Sequence, residues 1–204
     1  MQRVEKSERS RRQVLDAALQ LFSRQGFRGT SVREIAETSG ASIGNVYHHF
    51  PDKESIFRTL LDEYWSITES RLFPFTRALI SAGQFPDNIE QLGLAARESV
   101  RLYRRHIALI YVDVIEFDGT HIRRFYSEMS QRFSTLLEEE GLTGSIQARL
   151  RPGVSPISAL LLTTRLFFNY FAVEILFGVS APFGKESPQI VSEIAEMLRH
   201  GMVP

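Results

Sequence analysis

The sequence has no cysteine, a single tryptophan and no excess of either charge, since 24 basic residues face 24 acidic ones. Without cysteine there is no disulfide scaffold, no thiolate nucleophile and no thiolate-held zinc or iron–sulfur centre. Zero net charge argues against a protein that coats polyanions indiscriminately. No apolar run follows the charged opening MQRVEKSERSRR, so no secretory leader is visible and a cytoplasmic protein is expected. Also missing are a nucleotide-binding glycine loop, an H-E-x-x-H zinc motif and any hydrolase signature. No catalytic residue, metal or cofactor is therefore expected. What is present is apolar bulk: 43% of the 204 residues are hydrophobic and 15 are phenylalanine. That is enough for a sizeable core and excludes disorder as the default.

The charge is unevenly placed. Residues 1–53 hold nine Lys and Arg against six Asp and Glu, and the first 33 residues hold eight against three. A basic N-terminal end on a neutral chain points to a polyanionic partner there, although a charged tail can simply be solvated. The arginines at 9, 11 and 12 fit either a disordered arm on phosphates or an ordinary charged tail.

Apolar spacing is helical throughout, and no stretch sustains strand alternation. From Glu8, the rows Val14, Ala18, Leu21 and Leu15, Leu19, Phe22 predict a first helix ended by Gly26. Ser31 with Glu34 forms a capping box for a second, stopped by Gly40. Ser42 can cap a short third helix, and Asp52 a fourth carrying Ile56, Phe57, Leu60, Leu61 and Tyr64. Pro74, Gly83 and Pro86 read as breaks. Further helices are expected over 88–105, 107–116, 122–140, 154–177 and 189–200, with a loop or short helix over 141–156. The apolar run Ile157–Phe177 contains Arg165, Asn169 and Glu174, which are costly in a bilayer, so it reads as a buried helix and not a membrane span. The fold class is all-α.

Two short helices joined at Gly40-Ala41 make a helix-turn-helix, in which the second helix enters the major groove of DNA. Small residues Ser42 and Gly44 let that helix approach closely. Asn45 can bridge adenine N6 and N7, and Arg33 can fork onto guanine. Tyr47, His48 and His49 offer donors to phosphates, with one of the adjacent histidines facing outward and the other packing. Lys53, at the start of the fourth helix, is a further phosphate candidate. For Arg33 and Tyr47 the plain alternatives are a solvated helix residue and a half-core aromatic.

Leu15 to Tyr64 resembles the N-terminal domain of TetR-family transcriptional regulators. The likeness lies in the F-x-x-x-G-F segment, T-S-V-R-E-I-A, G-A-S-x-G-x-V-Y-H-H-F and D-K-E-x-x-F, over about a quarter of the chain. The resemblance implies a three-helix DNA-binding domain (1–52) joined to a helical ligand-binding and dimerisation domain (53–204). It further implies a homodimeric repressor on a partly palindromic double-stranded operator, released by a small molecule. Family DNA contacts carry over to Arg33, Ser42, Gly44, Asn45, Tyr47, His48 and Lys53. Two positions depart from the pattern. Ile43 stands where a polar or basic residue is frequent, replacing a hydrogen bond by an apolar contact such as a thymine methyl, and Pro51 replaces a basic or small polar residue.

Beyond residue 64 the signals are weaker. A pocket in a helical bundle is apolar with a few polar anchors. Tyr103, Leu109, Tyr111, Phe117, Phe125, Phe133 and Phe168 are candidate walls, and His106, Asp113, Arg165 and Asn169 candidate anchors. Their character favours an apolar or aromatic effector, an acyl-CoA among the options. Asp113, Glu116, Asp118 and His121 read as a charged helix end in preference to a metal site. The apolar helix and the last helix are expected to pair with their copies in a dimer, through Phe167, Phe171, Glu174, Ile190, Ile194, Met197 and Leu198. The rival classes are a helical enzyme or ligand carrier without DNA function and an architectural DNA binder.

Overall fold

The computed structural model describes residues 2–82 and 85–202, and all regular structure among the described residues is helical. In chain order the helices are α1 (Gln2–Gln25), α2 (Val32–Ser39), α3 (Ile43–His49), α4 (Lys53–Glu69), α5 (Pro74–Ala82), α6 (Ile89–Leu102), α7 (Arg104–Glu116), α8 (Arg123–Glu139), α9 (Thr143–Gln147), α10 (Pro156–Ile175) and α11 (Ser187–Met202). Two compact units divide them: residues 1–66 with 105–124, and residues 67–104 with 125–204. The first unit thus runs past residue 52, where the sequence places the boundary, and takes in a segment from the middle of the chain.

In the first unit, α1 packs on α2 and α3. Its core holds Val14, Leu15, Ala18 and Phe22 of α1, Ile35 and Ala36 of α2, Val46 of α3, and Ile56, Phe57 and Leu60 of α4, all buried. The predicted caps form. Ser31 Oγ accepts from the Glu34 amide while Glu34 reaches back to the Ser31 amide, and Ser42 Oγ accepts from the Asn45 amide. Gly26 and Gly40 both have φ in the left-handed region, at 77° and 72°. α1 starts at Gln2, so the arginines at 9, 11 and 12 are helical, which corrects the disordered-arm alternative.

In the second unit, α6 is the central helix, packed by α5, α10 and α11. Gly93 makes that possible: a Cβ there would stand 2.8 Å from both Phe167 and Val191 side chains. Phe167 and Phe171 are wholly buried within the protomer, and Ile190 and Ile194 nearly so. This corrects their assignment to a dimer surface, because side chains consumed by the protomer's own core present nothing to a second copy. α10 is long and apolar enough to cross a membrane by length and composition, but it packs along α6. Its outward side carries Leu162, Arg165, Leu166 and Asn169. Of the expected breaks, Gly83 lies outside the described residues. Pro74 proves to be a start: α5 begins on it, as α10 begins on Pro156.

Gly93→Ala is expected to destabilise the chain by about 1 kcal/mol net in chemical denaturation. Overpacking a filled core costs roughly 1–3 kcal/mol, and the better helix propensity of alanine returns about 1.

Candidate nucleic-acid interface

The helix-turn-helix is held by polar groups that reach its frame from outside it. The turn between α1 and α2 leaves two amides and two carbonyls to be satisfied. Glu116, at the end of α7, accepts from the Phe27 amide at 3.0 Å and the Arg28 amide at 2.6 Å. Arg28 donates back to the Glu116 carbonyl oxygen at 3.2 Å. From the other side Lys53 Nζ donates to the Phe27 carbonyl at 2.8 Å and the Thr30 carbonyl at 2.6 Å. The ammonium also stands 4.1 Å from the centre of the Phe27 ring. Burial holds its pKa below the usual lysine range, against the opposing pull of Glu116 and Glu34. This corrects the expected role of Lys53. Its charge is spent on two backbone carbonyls and is not presented to phosphate.

Asn45 is also turned inward. Its Nδ2 donates to Ser10 Oγ of α1 at 2.6 Å, so the amide expected to read adenine braces α3 against α1. His49 packs as well, its ring against His48 and Phe50 with Nε2 buried. Burial, then the neighbouring His48 and Arg11, lower its pKa. The side chains that α3 exposes are Ile43, Tyr47 and His48, with Gly44 bare between them. Nothing lies within 4 Å of where a Gly44 Cβ would stand. Ser42 is exposed at the N-terminus of α3, where it serves as the cap. Arg33 is exposed on α2 and paired with Glu37 at 2.9 Å. An exposed i,i+4 pair of this kind is worth only about 0.3–0.5 kcal/mol, so a phosphate can displace it.

The resulting face is narrower than the expected one: Arg33, Ser42, Ile43, Gly44, Tyr47 and His48 lie outward, while Asn45, His49 and Lys53 hold the frame. Ser10 and Glu116 were not legible as framing residues, because their partners lie 35 and 88–89 positions away.

The expected ligand residues divide between the two units. In the first, Asp113 is fully buried and accepts from the Ile122 amide at 3.0 Å, with His121 Nδ1 2.6 Å from its other oxygen. It is therefore a structural carboxylate and not a free anchor. Phe117 belongs to an aromatic cluster with Phe27 and Phe57, at centroid distances of 4.6 and 5.2 Å. Leu109 is buried, Tyr111 is half-buried, and His106 stacks on Tyr64. In the second unit, Phe168 packs with Phe73 and Phe75, Tyr103 lies against Phe73, and Arg132 stands over the Phe125 ring. Phe133 is half-buried. Arg165 and Asn169 point outward from α10, which corrects their placement as pocket anchors. A cleft of about 360 Å³ in this unit is lined by Arg97, Glu174, Ile175, Gly178, Ser180, Ala181, Glu186 and Ser187. Glu174 accepts there from Ser187 Oγ at 2.7 Å. On α11, Met197 is exposed and Leu198 half-buried. No group of three His, Asp or Glu among the described residues is arranged to hold a metal ion.

Lys53→Met is expected to cost about 1–3 kcal/mol in equilibrium denaturation, because the buried Thr30 carbonyl loses its donor. His106 yields a pH prediction. Burial first, and the Arg12 guanidinium second, bring its pKa down to about 4. Between pH 4 and the ordinary histidine value near 6.5 the unfolded chain holds a proton that the folded chain refuses. Stability is therefore lost as pH falls through that window, by about 3 kcal/mol. His106→Phe, which keeps a ring against Tyr64, should flatten that part of the stability curve.

Residues 14–60 match the model of the tetR family of bacterial regulatory proteins. Among curated relatives, the chain is 40% identical over 68 residues to the HTH-type transcriptional regulator AcrR of Shigella flexneri, covering 33% of this chain and 30% of that protein. It is 30% identical over 131 residues to the HTH-type transcriptional repressor KstR2 of Rhodococcus jostii, covering 62% of this chain and 60% of the relative. The matched segments span 30–62% of the lengths of such relatives. Two solved structures share the fold over nearly the whole chain. One is NalD of Pseudomonas aeruginosa, the secondary repressor of a multidrug efflux pump, at TM-score 0.63 and 24% identity over 98% of each chain. The other is the ketosteroid transcriptional regulator KstR2 of Mycobacterium tuberculosis, at TM-score 0.52 and 18% identity over 95% of each chain. With its capped helix-turn-helix falling inside the matched residues, the chain belongs to the tetR family of bacterial regulatory proteins.

Proposed function

We propose that the protein is a dimeric, sequence-reading transcriptional repressor that binds a partly palindromic double-stranded operator and is released from it by a small, largely apolar effector. The observation that carries the reading is α3 itself. Capped at its start and braced to α1 through Asn45 and Ser10, it leaves Ile43, Gly44, Tyr47 and His48 on an exposed face. An isoleucine 46% exposed on a seven-residue helix adds nothing to the core, but it suits a thymine methyl in the major groove. Tyr47 and His48 supply donors beside it, and the start of α3 suits a phosphate oxygen.

Dimerisation is supported by the outward faces of α10 and α11. Leu162 (61% exposed), Leu166 (39%) and Met197 (66%) remain apolar and uncovered. These, and not the buried phenylalanines, are the side chains we assign to a two-fold contact that would present two reading heads to two half-sites. An apolar effector is supported by the aromatic content of both units and by the relative named for ketosteroids. The arginine at 101, one candidate for an acyl-CoA phosphate, is paired with Glu98 at 2.8 Å.

The test is fluorescence anisotropy on duplexes selected from random DNA, against scrambled duplexes, with Gly44→Ala and Tyr47→Ala beside the wild type. Gly44→Ala meets no neighbour and gains helix propensity of up to about 1 kcal/mol, so its melting temperature should hold or rise. Its added methyl stands on the face that must approach the bases, and affinity for the selected duplex should fall about tenfold or more, with scrambled DNA little affected. Equal affinity of the wild type for both duplexes would favour an architectural binder, and unchanged binding by both variants would remove α3 as the reading element.

A further inference from the structure

His121, in the turn between α7 and α8, is bracketed by two carboxylates. Its Nδ1 lies 2.6 Å from Asp113 Oδ1 and its Nε2 lies 3.2 Å from Glu54 Oε1. The ring is walled by Phe117 and Phe57, at centroid distances of 4.7 and 5.8 Å, and its side chain is only 8% exposed. Glu54 from α4 and Asp113 from α7 are the charged groups that face it among the described residues. Of its near neighbours, Glu116 is turned to the Phe27 and Arg28 amides, Lys53 to the Phe27 and Thr30 carbonyls, and Asp118 is exposed.

The proton count at this ring is unequal to its contacts. Asp113 is a buried acceptor whose other oxygen already takes the Ile122 amide, so His121 must donate to it through Nδ1–H. A neutral imidazole has only that one N–H. Its Nε2 then turns a lone pair on the Glu54 carboxylate, and two acceptors repel. An imidazolium has the second N–H and donates to Glu54 as well. One proton therefore decides whether the first turn of α4 is tied to the α7–α8 turn.

We infer that His121 is a proton-operated clamp on the DNA-reading unit. This rests on the proposed function, and supplies a regulation of the same site. Only residues 50–52 separate α3 from α4, so holding Glu54 holds the end of the recognition helix. With the proton bound the clamp is closed and the reading face fixed. As pH rises and the proton leaves, Glu54, already 52% exposed, swings to solvent and the operator is held less tightly.

The experiment uses the full chain at about pH 6 and 8 at constant ionic strength, either side of the histidine range. Two quantities are read: affinity for the selected duplex, and hydrogen-exchange protection factors for 53–57 and 117–122 without DNA. Both should fall about fivefold or more in the wild type on going to the higher pH. Glu54→Gln separates His121 from the DNA-facing His48 and from His49. A glutamine amide can donate to the neutral ring and accept from the charged one, so this variant should keep its lower-pH protection and affinity at both values. His121→Gln should lose the pH response of protection altogether. Wild-type protection that does not change with pH overturns the clamp, as does a Glu54→Gln variant with the wild-type response. Protection that responds while affinity does not overturns its link to DNA. If no duplex is bound at either pH, the regulator reading falls, and protection alone decides whether the clamp exists.

Discussion

The structure depends on how the turn between α1 and α2 is satisfied. A connection of six residues between two helices carries peptide groups that neither helix can pair, and leaving them dry is costly. Here an ammonium takes the carbonyls and a carboxylate takes the amides, the first from the start of α4 and the second from the end of α7. The two helices that flank the reading element in sequence and in space are thereby fixed to one turn. Phe27, on that turn, packs between Phe22, Phe57 and Phe117, so the polar closure and the aromatic core share a residue.

A consequence is a division of labour along α3. A seven-residue helix is too short to be stable alone, and its setting must come from tertiary contacts. Val46 buries, Asn45 hydrogen-bonds to α1, and His49 packs. The remaining face is free to be chemically idiosyncratic, which is what a sequence reader needs: a rigid mount, and exposed side chains with no duty to the fold. The same logic explains why Lys53 fails as a phosphate ligand. Its reach and charge match a phosphate and a pair of carbonyls equally well, and the carbonyls are nearer.

Much of the first unit was legible because its signals are local. A capping box needs residues three apart, and Gly26 and Gly40 end helices by backbone conformation that their own lack of a Cβ permits. The helix-turn-helix and its family wording followed from those. Asn45 and Lys53 were read by type, and type cannot say whether a donor's partner is a base, a phosphate or a carbonyl 23 to 35 positions away in the chain. Pro74 was read as a break when it was a first helical residue, since proline disrupts a helix interior but fits its first turn. Apolar spacing placed Phe167 and Ile194 on helices without telling whether α6 or a second copy covers them; Gly93, the small residue that admits them, became meaningful only beside Phe167.

The central claim is that α2 and α3 meet DNA while α4 and the α7–α8 turn hold them in place. Hydrogen–deuterium exchange of the full chain with and without the selected duplex tests it directly. DNA should protect residues 31–49, leave 113–122 at the protection they already have, and do so only with the duplex that is bound in preference. Protection confined to residues 125–202, or spread evenly over the chain on any duplex, would contradict it.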